Sequence, residues 1–176
     1  SPSQALETAD AYVNFNWAAE NFNITDGLET DLEGVMIQTP EWIQVGDNYH
    51  VPYKWGGFNT LDEFSSGLLE NKFAGDRITD CSQNYCVSNY CIGVDCSGFV
   101  SRCWNLSTHY STAMMDDDIT IAYETWDDLN TGDAIHKVGH VRMVVFKNND
   151  GSIWAATLNS GLVKLGSSSV AIDEVL

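Results

Sequence analysis

Positive charge is what this sequence has least of. Only 8 of its 176 residues are Lys or Arg, against 25 Asp or Glu, for a formal net charge of −17. Long-range repulsion from phosphate backbones and anionic lipid headgroups excludes nucleic-acid binding as the expected function. The acidity forms no tail, since no run exceeds Asp116-Asp117-Asp118, and reads as a solvated surface. Long apolar runs are also missing; none approaches the ~20 residues that cross a bilayer, so no membrane span is expected. The opening SPSQALETAD lacks the basic and apolar regions of a signal peptide, which fits a cytosolic chain or the mature part of an exported one. Missing too are paired C-x2-C knuckles. The cysteines stand at 81, 86, 91, 96 and 103, spaced C-x4-C-x4-C-x4-C-x6-C, which is not a structural zinc pattern, so no metal and no cofactor is expected. Their odd number leaves at least one thiol outside any disulfide, and their crowding suits export to an oxidising compartment.

What is present is a sizeable core. Hydrophobic residues make up 44% and aromatics 11% of the chain, which fits one domain with no repeat or linker. Residues 4–22 place Leu6, Ala9, Val13 and Trp17 three and four apart behind a Ser3 cap, an amphipathic helix. Residues 23–44 carry turn signals in TDGLETDLEG and TPEW. In VPYKWGGF (51–58) Pro52 favours extended backbone, and Gly56-Gly57 opens conformations barred to other residues. Leu61, Phe64 and Leu68, capped by Thr60, make a short helix over 60–70, and a long polar connection follows over 71–94. A helix opens at Cys96, with Phe99, Val100 and Cys103 on its apolar side and Trp104 and Leu106 extending it. ITIAYETWDDL (119–129) is a short helix or turn. DAIHK, HVRMVVF and SIWAATL then read as strands, the last two joined through the turn KNNDG. Helices first and an antiparallel sheet after indicate an α+β fold, a helical N-terminal extension over 1–44 preceding a core over 45–165.

Chemistry concentrates at Cys96. Unpaired N–H groups and the dipole at a helix start favour an anion there, which raises the thiolate fraction. A nucleophilic cysteine also needs a base. Of His50, His109, His136 and His140, the best placed is His140, which opens a strand after Gly139; His136 is the alternative, sharing its strand parity inside a turn-like HKVG. Any single histidine is otherwise an ordinary surface or hydrogen-bonded residue. Thr157 and Asn159, two apart on one strand face, are the candidates for orienting the imidazole. Cys103, two helical turns after Cys96, reads as a buried core thiol. A disulfide among Cys81, Cys86 and Cys91 would add about 2–4 kcal/mol.

YKWGG (53–57), DCSGFV (95–100), GDAI (132–135) and GHVRMVV (139–145), in that order, resemble the NlpC/P60 family of papain-like cell-wall cysteine peptidases over roughly residues 45–165. The resemblance implies a papain-like fold with Cys96 as nucleophile and His140 as base. It places Tyr53 near the nucleophile and makes Tyr53, Trp55, Asp95 and Ser97 substrate-binding positions. The family's third catalytic position, commonly His, has no His here, which leaves it to Thr157 or Asn159. The implied substrate is a bacterial cell-wall stem peptide, cut between D-γ-glutamyl and a diamino acid by a monomeric enzyme outside the cytoplasm. Two other readings stand beside it: an amidase or acyltransferase using the same Cys-His pair on another amide, and a non-catalytic wall-binding module.

Overall fold

The computed structural model describes residues 1–79, 86–157, 161–165 and 174–175, with the backbone alone at 116, 117, 161–163, 174 and 175. It is a mixed helix-and-sheet fold, and none of its described helices is long and apolar enough to cross a membrane. The chain groups into two compact units, one of residues Ala11–Asp95 and the other of Ser1–Asp10 with Cys96–Leu176.

The first helix, α1 (Pro2–Val13), begins in one unit and ends in the other. Its spacing predicts continuation to residue 22, yet the chain turns extended and forms β1 (Asn16–Ala19). The difference has a plain cause. Trp17 lies four residues after Val13, which suits a helix, but it also alternates with Ala19, and Trp17 and Ala19 are the buried pair of an exposed-buried-exposed-buried strand. Tertiary pairing decides: β1 runs antiparallel to β4 (Gly46–Tyr49) with Trp17 opposite Asn48, and the Trp17 indole N–H donates to the His50 carbonyl at 2.9 Å. The expected helical extension over 1–44 therefore holds one long helix, a 3₁₀ turn at Asn21–Asn23, and three short strands, β1, β2 (Glu29–Thr30) and β3 (Met36–Ile37).

Helix α2 (Leu61–Leu69) forms where the apolar spacing and cap predict it. Glu63 N–H donates to Thr60 Oγ1 at 3.1 Å while Thr60 N–H donates to Glu63 Oε2 at 2.7 Å, a reciprocal cap. Its Phe64 is fully buried and meets Trp17 edge-on, centroids 5.1 Å apart at 83°. The connection after α2 contains a parallel pair, β5 (Phe73–Ala74) with β6 (Cys91–Ile92).

In the other unit, α3 (Cys96–Cys103) packs against a five-stranded antiparallel sheet. The strands are β7 (Ala134–Lys137), β8 (His140–Lys147), β9 (Ile153–Thr157), β10 (Gly161–Leu165) and β11 (Glu174–Val175), ordered β10-β9-β8-β7-β11. Val138-Gly139 closes the β7–β8 hairpin, Gly139 at φ +77° as a two-residue turn requires. One sheet face is filled by Ile135, Val144, Ile153 and Ala155 together with Leu129 and Leu165, and Trp126 packs at its rim. The stretch 119–129 holds only a 3₁₀ turn at Trp126–Asp128 after a π-helical end at Ile119.

Phe64→Ala removes a fully buried ring and is expected to cost about 3–5 kcal/mol, whereas Leu69→Ala, at a side chain 86% exposed, should stay within about 0.5 kcal/mol. Chemical denaturation followed by tryptophan fluorescence reads both; equal midpoints would show that Phe64 does not anchor the unit.

Candidate active site

Cys96 is the first residue of α3, half-buried, and carries a thiol rather than half of a disulfide. Ser97, Gly98, Phe99 and Val100 behind it are buried, while the first residue of the helix keeps some access to solvent. The helix packs on β8, and β8 opens with half-buried His140. The structure thus brings the thiol's helix onto the strand that begins with the expected base.

The register settles which side chains share His140's side of the sheet. Lys137 pairs with His140, Ile135 with Arg142, and Val144 with Ala155. Alternation then puts Ile135, Lys137, His140, Arg142, Val144, Ala155 and Thr157 on one face. Thr157, half-buried at the end of β9, is therefore on the face an orienting residue requires, and Asn159 lies outside the described residues. His136 is different. It pairs with Val141, so it points to the opposite face from His140, and it is 5% exposed with neither ring nitrogen hydrogen-bonded. The parity assumed for it fails because Val138-Gly139 is a two-residue turn, which makes Lys137 rather than His136 the cross-strand neighbour of His140. His50 stacks on Trp42 with centroids 4.3 Å apart, in the unit that ends at Asp95.

Burial, first, and then the charges of Arg142 and Lys137 hold the His140 imidazole below its ordinary 6.5. The ring is therefore neutral at neutral pH, the form that accepts a proton. The other thiols are of a different kind. Burial pushes Cys91 and Cys103 each up to about 12, and both are almost wholly enclosed. Cys86 is disulfide-bonded, and Cys81 lies outside the described residues.

The four expected substrate-binding residues divide between the units. Tyr53 and Trp55, both half-buried, lie on the turn made by YKWGG. There Gly57 N–H donates to the Lys54 carbonyl at 2.8 Å and Gly56 takes φ +67°, as the third residue of a type II turn must. Tyr53 pairs in parallel with Val94, and the Trp55 indole N–H lies 3.5 Å from Cys86 Sγ. Asp95 is buried, its N–H donating to the Gly57 carbonyl at 3.0 Å. Ser97, also buried, has its Oγ 3.0 Å from His109 Nε2. Sequence reasoning counted His109 among four histidines but gave it no place: its position in a polar stretch gives no periodic signal, and only the fold of the loop after α3 brings it back to the residue next to Cys96.

Among the described residues no group of His, Cys, Asp and Glu is arranged to hold a metal ion. Comparison with known protein families, with characterised proteins and with solved structures finds no match for this chain.

Because Cys91 and Cys103 are enclosed and held protonated while Cys96 opens its helix half-exposed, iodoacetamide at about pH 8 should carboxamidomethylate Cys96 first in the native protein. Peptide mapping by mass spectrometry checks this; labelling of Cys103 or Cys91 at the same rate would remove the distinction.

Proposed function

We propose that the protein is a papain-like cysteine peptidase of the NlpC/P60 type. It hydrolyses the stem peptides of bacterial cell walls, at the bond between D-γ-glutamyl and a diamino acid. The observation that carries the reading is the packing of the helix opened by the Cys96 thiol on the strand opened by a neutral His140. The order of YKWGG, DCSGFV, GDAI and GHVRMVV supplies the family and the substrate class.

The chemistry follows from these groups. His140 takes the Cys96 proton as the sulfur attacks the scissile carbonyl carbon, and backbone N–H groups at the start of α3 receive the oxyanion. His140, now imidazolium, gives that proton to the departing amine, leaving a thioester on Cys96. Water, deprotonated by His140, then attacks the thioester carbonyl; the product carboxylate leaves and the thiol is restored. Thr157 is the described candidate for orienting the ring, a role it would fill through its hydroxyl. Tyr53, Trp55, Asp95 and Ser97 form the substrate-binding set by resemblance. A disulfide at Cys86 supports action outside the cytoplasm, where disulfides persist, and the −17 net charge favours a substrate bearing a free amino group.

Incubation with purified peptidoglycan, followed by mass spectrometry of the released fragments, tests the assignment. Cys96→Ala and His140→Ala should each lower release by on the order of 10³-fold or more; release by Cys96→Ala equal to that of the wild type ends the proposal. The rate should fall as pH drops through the lowered His140 pKa, below 6.5, because protonation there removes the base. Arg142→Gln removes one of the charges that disfavours protonation and should move that acid limb to higher pH; an unmoved limb would show that the titrating group is not His140.

A further inference from the structure

We propose that His109 is a positioning residue for the Cys96 nucleophile, acting through Ser97. The inference rests on the peptidase reading for the purpose of the nucleophile, but not for the contact or for its effect on the thiol.

Three observations converge. Ser97, immediately after Cys96 in the first turn of α3, is 4% exposed, and its Oγ lies 3.0 Å from Nε2 of a residue twelve positions later. The route back to it is built. Asn105 takes the left-handed conformation, φ +57°, and the N–H groups of Asn105 and Leu106 donate to the Arg102 and Ser101 carbonyls, each at 2.9 Å. That ends the helix and reverses the chain, a role Asn fills without the penalty most side chains meet. The returning segment is then fastened a second time: Tyr110 N–H donates to Ser101 Oγ at 3.3 Å. Ser97 and Ser101 are four apart and so lie on one face of α3. Consecutive residues, His109 and Tyr110, are thus held along a single serine ridge that leads to the helix start.

The consequence falls on the thiol. A helix of eight residues is too short to hold its own first turn, and the N–H groups that favour an anion at Cys96 belong to that turn. The Ser97–His109 bond fixes the turn from outside the helix. Without it the turn frays, the N–H groups lose their common direction, and Cys96 ionises less readily.

Carboxamidomethylation of Cys96, quantified by peptide mapping at about pH 7, reads this without any peptidase substrate. His109→Ala and Ser97→Ala should each slow it about fivefold, the weight of one ordinary hydrogen bond. The double variant should be no slower than either, because both act on one bond. His109→Gln, whose amide can still meet the hydroxyl, should restore most of the rate, and the difference should close at a pH where the thiol is fully ionised. Should His109→Ala unfold, exposing Cys91 and Cys103 to the reagent, His109→Gln and Ser97→Ala carry the test. Wild-type rates in Ser97→Ala and His109→Ala, or losses that multiply in the double variant, overturn the proposal. Slowed alkylation together with no release of wall fragments by the wild type would instead refute the peptidase reading and leave the role of His109 standing.

Discussion

The segment 93–95, which ends one unit of the chain, depends on a close approach of backbone to backbone around Gly57. A methyl group added there would lie 2.5 Å from the Gly93 carbonyl oxygen and 2.7 Å from that of Lys54. The approach is therefore open only to glycine. It lets residues 53–58 lie along 93–95: Lys54 N–H donates to Val94 O, Val94 N–H to Pro52 O, and Asp95 N–H to Gly57 O, at 3.0, 3.2 and 3.0 Å. Asn59 closes the far side, its Oδ1 accepting from Gly93 N–H at 2.9 Å. Asp95 is the last residue so held, and the next in the chain is Cys96. The extended backbone of the segment that leads into the helix is thus fixed by main-chain bonds that no side-chain substitution other than at the glycines can easily disturb.

The same clamp encloses charge. Lys54 is 6% exposed and Asp76 wholly buried. Burial is the largest influence on both, lowering the ammonium and raising the carboxyl, while the charge of each draws the other back toward its ordinary value. Asp76 Oδ1 accepts the N–H groups of Gln38 and Ile78 at 3.1 and 3.0 Å, but Oδ2 has no hydrogen-bond partner. A half-satisfied buried carboxylate is costly, and a buried charge left alone by loss of its partner costs more still. The pair therefore specifies arrangement more than it adds stability: segments 38, 54 and 76–78 must meet in one way, or an ion is stranded in the core.

How much of this was legible in the sequence depends on whether a signal was local. Helix α2, with its Thr60 cap and Leu61, Phe64 and Leu68 stripe, formed where read, as did the starts of α3 and β8, because caps, glycines and periodicity act over a few residues. The end of α1 did not, since Trp17 satisfies a period of 3.6 and a period of 2 equally well and only its partner strand β4 chooses. The two-residue strands β2, β3, β5 and β6 carry too few residues for any period. Cys96 and His140 stood out as candidates from their settings, but the contact of His109 with Ser97 was not legible, because it comes from a reversal at Asn105 and a serine twelve residues back. His136 failed for a one-residue reason: the length of a turn reverses the facing of everything before it.

The electrostatics of His140 bear on how the proton would move in the proposed reaction. A cysteine and a histidine can rest as thiolate and imidazolium or as thiol and imidazole. Here burial and two neighbouring cations weigh against the imidazolium, while the helix start favours the sulfur anion. These preferences act on different atoms and do not cancel. They leave a resting imidazole that is neutral, and a sulfur whose ionisation the helix start favours. In the proposed reaction the proton that reaches the leaving amine would then come from the thiol itself, which ties its transfer to the attack. Folding is linked to the same group: with its folded pKa below the unfolded value, the ring binds fewer protons than the unfolded chain as pH falls beneath 6.5, so stability present above that value is lost there. Lowering the pH thus protonates the proposed base and weakens the fold that holds it through one and the same imidazole.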